Sequence, residues 1–114
     1  MSFSPEVIQF FTLTATQAEQ LHNGLNRLQQ TFQQAEADVV NTPEFSKRYY
    51  QKFQQLALES GITEPQFETL LSHLYGDPRY RAVVNAIVSS FYCAGGDRSI
   101  FEEIYQQILS EEQI

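Results

Sequence analysis

Apolar residues recur through the first third of the chain at alternating steps of three and four: Ala18, Leu21, Leu25, Leu28, Phe32, Ala35 and Val39. On an α-helix that spacing places all seven on one narrow stripe. It predicts a long helix from about residue 16 to 40, roughly 37 Å at 1.5 Å per residue. Thr16 with Glu19 three positions later reads as a capping box at its start. Its outer faces carry Gln17, Gln20, Gln29, Gln30, Gln33 and Gln34, good helix formers with no commitment to a core.

The rest of the chain is parsed by its prolines and capping residues. Ser4-Pro5 opens a short first helix, with Phe3 and Ile8 at staple spacing and an end near Thr12 to Thr14. Thr42-Pro43 opens the next, with Phe45, Tyr49, Phe53 and Leu56 on one face, and Gly61 is placed to end it in the left-handed conformation. Thr63-Glu64-Pro65-Gln66 is a second capping box, flanked by Ile62 and Phe67 as a staple. Phe67, Leu70, Leu71 and Leu74 form the stripe of that helix, and Gly76 ends it. Asp77-Pro78 opens the most apolar helix, lined by Tyr80, Val83, Val84, Ile87, Val88 and Phe91 and widened by Ala82 and Ala86. Apolar over so much of its surface, it belongs near the centre of the fold. Cys93 to Gly96 closes it. Ser99 with Glu102 then caps a last helix bearing Ile100, Phe101, Ile104, Tyr105, Ile108 and Leu109.

No stretch alternates with period two, and no Asn-Gly or Asp-Gly hairpin signal occurs. The pattern predicts an all-α fold. Residues 1–114 form a single-domain bundle of five main helices plus a short N-terminal one, with the residue 16–40 helix as spine.

Composition changes this picture little. With 42% hydrophobic residues, nine Phe and six Tyr, 114 residues bury a core without staples, about two-thirds of the unfolded surface. The single cysteine, Cys93, cannot close an internal disulfide, which suits a reducing compartment. The N-terminus has no signal-peptide pattern, and no run reaches the ~20 apolar residues of a membrane span. A soluble, cytoplasmic protein is expected. The net charge of −7 disfavours nucleic acid and anionic membrane as partners.

The stripe admits two readings, a coiled-coil seam between two copies or packing within one bundle. Two of its seven positions are alanine. The flanks (His22, Gly24, Gln29, Thr31, Glu36 and Asp38) lack complementary charges, and Gly24 costs about 1 kcal/mol relative to alanine inside a helix. These features favour a monomer over a homodimer.

Five basic residues are the candidate partner-binding positions. Lys47, Arg48 and Lys52 lie on one helix, interleaved with Tyr49 and Tyr50. Arg79 and Arg81 fall in the first turn of the helix opened by Asp77-Pro78, where positive charge opposes the helix dipole by about 0.3–1 kcal/mol. Glu111 and Glu112 are the mirror case at a negative helix end. One of the basic spots is expected to receive this acidic tail.

Catalytic and metal chemistry find no pattern. Cys93 sits at a helix C-terminus, where the dipole raises a thiol pKa, and reads as a small buried apolar residue. His22 and His73 form no ligand pair and read as partly exposed. The segment around Ile62 to Phe67 lacks the carboxylates of a calcium loop, since Gln55, Ala57 and Gln66 would stand at its ligand positions. Gly95-Gly96 is not a phosphate loop. Adjacent acids such as Glu102 and Glu103 diverge on a helix. Neither cofactor nor metal is expected, nor enzymatic activity. The leading expectation is a small protein-interaction or regulatory protein acting through a helical surface. The alternative is a carrier or sensor that holds an apolar ligand or pigment in an aromatic-lined core.

Overall fold

A computed structural model describes residues 4–97 and 99–112. The chain is all-α, as the periodicity requires. Its order is α1 (Pro5–Phe11), α2 (Ala15–Gln34), α3 (Ala37–Val40), α4 (Pro43–Glu59), a 3₁₀ turn (Glu64–Gln66), α5 (Phe67–Tyr75), α6 (Arg81–Cys93) and α7 (Glu102–Glu112). Five main helices and the short α1 match the expected set; α3 is a single added turn.

The spine differs from the expected residue 16–40 helix at both ends. It starts earlier because Thr12 turns into the left-handed region at φ 53° and brings Thr14 into an extended conformation. Thr14, rather than Thr16, is then the cap. The Gln17 amide donates to its hydroxyl at 3.1 Å, and Gln17 Oε1 accepts from the Thr14 amide at 2.9 Å. Thr14→Ala is expected to cost about 1 kcal/mol and Thr16→Ala almost nothing, read as the difference between their denaturation midpoints.

The spine also ends early. Ala35 and Glu36 are extended (ψ 143° and 148°), and the chain turns through α3 into α4. Along the stripe, Ala18, Leu21, Leu25 and Leu28 are buried, Phe32 and Ala35 are half-buried, and Val39 is 44% exposed. The apolar period continues past Phe32, but the core that would hold it does not. Phe32 is the last residue of the stripe with a ring partner, 5.4 Å from Tyr49 and 6.2 Å from Phe45.

α4 is set as its sequence dictates. The Thr42 hydroxyl accepts from the Phe45 amide at 3.2 Å, and Gly61 at φ +86° lets the Ile62 amide return to the Ala57 carbonyl at 2.9 Å. The second capping box forms at Thr63 and Gln66, although it opens a 3₁₀ turn that runs into α5. Ile62 and Phe67 behind it are both buried. The Phe3 half of the first staple lies outside the described residues.

α6 begins later than expected. Asp77 to Tyr80 form a turn closed by the Tyr80 amide on the Asp77 carbonyl at 3.0 Å, so Arg79 precedes the helix and Arg81 is its first residue. Its apolar face is buried from Tyr80 to Val88, Ala86 with it, and it packs against α2, α4 and α5. Ala82, one turn before the buried Ala86, is exposed at the start of the helix. Ser99 does not cap α7; its hydroxyl donates to Asp97 at 2.8 Å instead.

The buried residues form one continuous cluster. Its aromatic rings contact one another, as in Phe53–Phe67 at 5.3 Å, Tyr50–Phe91 at 4.9 Å and Phe91–Phe101 at 4.7 Å. These edge and tilted contacts are the geometries favoured by ring quadrupoles.

Candidate functional site: the groove between α2 and α4

Gly24 explains why α2 and α4 meet where they do. A Cβ at this position would stand 2.3 Å from the nearest methyl carbon of Leu56. The absent side chain is the space that Leu56 occupies. The packing is fixed one turn on by the buried Tyr49 hydroxyl, which donates to the Leu28 carbonyl at 2.9 Å.

Beside this contact the two helices leave a groove of about 310 Å³. Leu28 and Leu56 form its floor. Arg27 and Thr31 stand on the α2 wall, and Lys52, Gln55 and Glu59 on the α4 wall. Gln55 and Glu59 are tied together at 3.1 Å. The described residues set no ion pair against Arg27 or Lys52. Arg48, exposed and one turn before Lys52, extends the basic wall along the same face. The Thr31 hydroxyl is engaged by its own helix, donating to the Arg27 carbonyl at 2.8 Å.

The five basic residues singled out in the sequence are therefore divided. Arg48 and Lys52 belong to this face. Lys47 lines a different cleft of about 250 Å³, with Tyr50, Phe91 and Gly95. Tyr49, which interleaves them in sequence, is buried. Arg79 is engaged locally, 2.7 Å from Asp77, and its guanidinium holds the Asp77 carboxyl below the usual range. Arg81 donates from Nε to the Tyr75 carbonyl at 2.9 Å, lies over the Tyr75 ring at 5.4 Å and reaches Glu111 at 3.7 Å. The charge that opposes the α6 dipole is thus answered by the acidic tail, as the sequence led us to expect. Arg27 was not foreseen. It is the single basic residue of α2, three positions from the glycine that opens the helix to its neighbour, and that pairing was its available signal.

The remaining candidates fall outside the groove. Cys93 is exposed rather than buried, because it stands one turn after the exposed Ser89 on the outward face of α6, while Phe91 and Tyr92 beside it pack against the core. His22 is half-buried with Nδ1 2.8 Å from the Tyr80 hydroxyl, and His73 is half-buried against the Phe10 ring at 4.9 Å. A wider cleft of about 480 Å³ is lined by Tyr92, Asp97, Ser99, Glu102 and Tyr105. There the Ser99 amide and hydroxyl both donate to Asp97 and hold its carboxyl below the usual range. Among the described residues no group of three or more His, Cys, Asp or Glu is placed to hold a metal ion, and no helix is long and apolar enough to cross a membrane.

The chain matches no protein-family model, no curated protein and no solved structure. What fold and site define is a class: an all-helical bundle with an apolar-floored groove between two of its helices, its walls bearing Arg27, Lys52 and Glu59.

Proposed function

We propose that the chain is a non-catalytic interaction protein whose α2–α4 groove seats an acidic segment of a partner protein. One observation carries this reading. In a chain of net charge −7, Arg27 and Lys52 face one another across an apolar floor with no ion pair from the described residues. Charges left without a partner at a groove rim are well placed for complementarity, which sets specificity and approach more than raw affinity. Leu28 and Leu56 offer the apolar contact that a helix or extended segment needs between its acidic residues. The close contact of the aromatic rings supports this reading over an apolar-ligand carrier, since those rings occupy the space a ligand would need.

The test compares wild type with the triple reversal Arg27→Glu, Arg48→Glu, Lys52→Glu as bait in native lysate. Wild type is expected to retain an acidic protein in stoichiometric amount, released by raised salt. At about 1 kcal/mol per rim charge, the triple variant binds about two orders of magnitude more weakly with an unchanged melting curve. Partner binding indifferent to the reversal, or a coloured or apolar small molecule recovered with the pure chain, refutes the proposal.

A further inference from the structure

α7 is fastened unevenly. Its buried stripe is Ile104 and Ile108, continued by Phe101 just before its first turn. Phe101 covers the rings of Phe91 at 4.7 Å and Tyr50 at 6.0 Å. At its far end, Glu111 reaches Arg81, itself fixed by the Tyr75 carbonyl and ring. The near end is different. Glu68 of α5 has one carboxyl oxygen shut away from solvent with no hydrogen-bond partner among the described residues. It faces Glu103 and Glu102 in the first turn of α7. Among the described residues, neither α1, α6 nor the turn before α5 sets a cation against it. The connection from α6 passes through Gly95 at φ +88°, a conformation that glycine adopts without strain.

We propose that α7 is a detachable helix, seated by its apolar stripe and loosened by the charge of Glu68 against Glu102 and Glu103, so that it docks more firmly in mild acid than near neutrality. Its release uncovers Phe91 and Tyr50 at the junction of α4 and α6, leaving the α2–α4 groove intact.

The direction follows from which state holds the proton. Burial raises the Glu68 pKa above the ordinary glutamate range, the Glu103 charge adds to this, the Glu103 backbone amide draws the other way, and the Glu102 charge adds again. A carboxyl with a raised pKa in the docked state binds its proton more tightly there than when α7 is free. Docking therefore strengthens as pH falls from neutrality toward the ordinary glutamate value, and weakens again as Glu68 ionises. The helix dipole at the α7 N-terminus favours the carboxylate, but one buried oxygen without a donor among the described residues leaves that compensation incomplete.

Hydrogen exchange of the full chain, read as protection factors, tests this at about pH 5 and about pH 8. Near pH 8 the α7 amides are expected to exchange through an opening that leaves α4 and α6 protected. Near pH 5 their protection rises by about fivefold or more, the scale set by a buried group without a partner. Glu68→Gln, close in shape, is expected to give the higher protection at both pH values, and Glu102→Gln with Glu103→Gln to shift it the same way. Glu19→Gln, on the exposed face of α2, should change nothing. Two results overturn the proposal: lower α7 protection in Glu68→Gln, which makes the carboxylate an anchor, or one common protection factor for α6 and α7 at both pH values.

Discussion

Phe53→Ala is expected to lower the free energy of unfolding by about 3–5 kcal/mol, a large share of the roughly 5–15 kcal/mol that holds a domain of this size. Phe53 has no exposed surface. Its ring meets Phe67 edge-on at 5.3 Å and Tyr50 at 5.9 Å, tying α4 to the start of α5. Truncation loses the transfer energy of the ring and leaves a cavity whose walls belong to different helices. Those walls cannot close together without moving backbone. Chemical denaturation reads the loss directly, and an unchanged slope with a lower midpoint is the expected form. A cost below about 1.5 kcal/mol would mean that the α4–α5 junction collapses freely, against the close packing of the rings.

The second large effect is at Gly24, where helix propensity and packing predict opposite signs. Propensity alone gives Gly24→Ala a gain of about 1 kcal/mol. Its new Cβ, however, would overlap the Leu56 side chain, with carbons at 2.3, 2.6 and 3.0 Å. Overpacking of this kind costs about 1–3 kcal/mol, so the net expectation is a loss of about 1 kcal/mol. Gly24→Val recovers little propensity and adds two further methyl groups, for a loss of about 3 kcal/mol. Leu56→Ala in the Gly24→Ala background should cost less than the same change in wild type, because the alanine fills part of the space left by the leucine. A double-mutant cycle by denaturation measures that coupling. A stabilised Gly24→Ala would mean that the Leu56 side chain swings aside into the groove at little cost.

Gly24 also shows where reading the sequence stops. Its rule is local, a penalty per residue, and makes the glycine a defect of the spine. Its role comes from Leu56, thirty-two positions away in sequence. The same holds for the groove. Lys52 was visible as part of a basic run, but Lys47 and Lys52 look into separate clefts, and Arg27 joins Lys52 from another helix. Arg79 and Arg81 stood out for a sound electrostatic reason, their conflict with a helix dipole, and each proved to have an acidic answer within the fold. Cys93 falls on the face of α6 turned away from the core, a choice of face that a helix end apolar on all sides does not announce.

By itself, the sequence determined the features that neighbours along the chain control. They are the all-helical class, the five main helices, the caps at Thr42 and Thr63 and the left-handed stop at Gly61. Each depends on backbone conformation and on hydrogen bonds spanning three to five residues, within reach of nearby side chains. Tertiary structure decided the rest. It ended the spine at Gln34 although the apolar period runs on to Val39, because periodicity holds a helix only where a core lies beneath it. It made Thr14 the cap in place of the expected Thr16, and gathered Arg27, Arg48 and Lys52 onto one face. It also brought the Glu68 carboxyl against the first turn of α7. Such choices depend on which surfaces are brought together, and no interval along the chain encodes that.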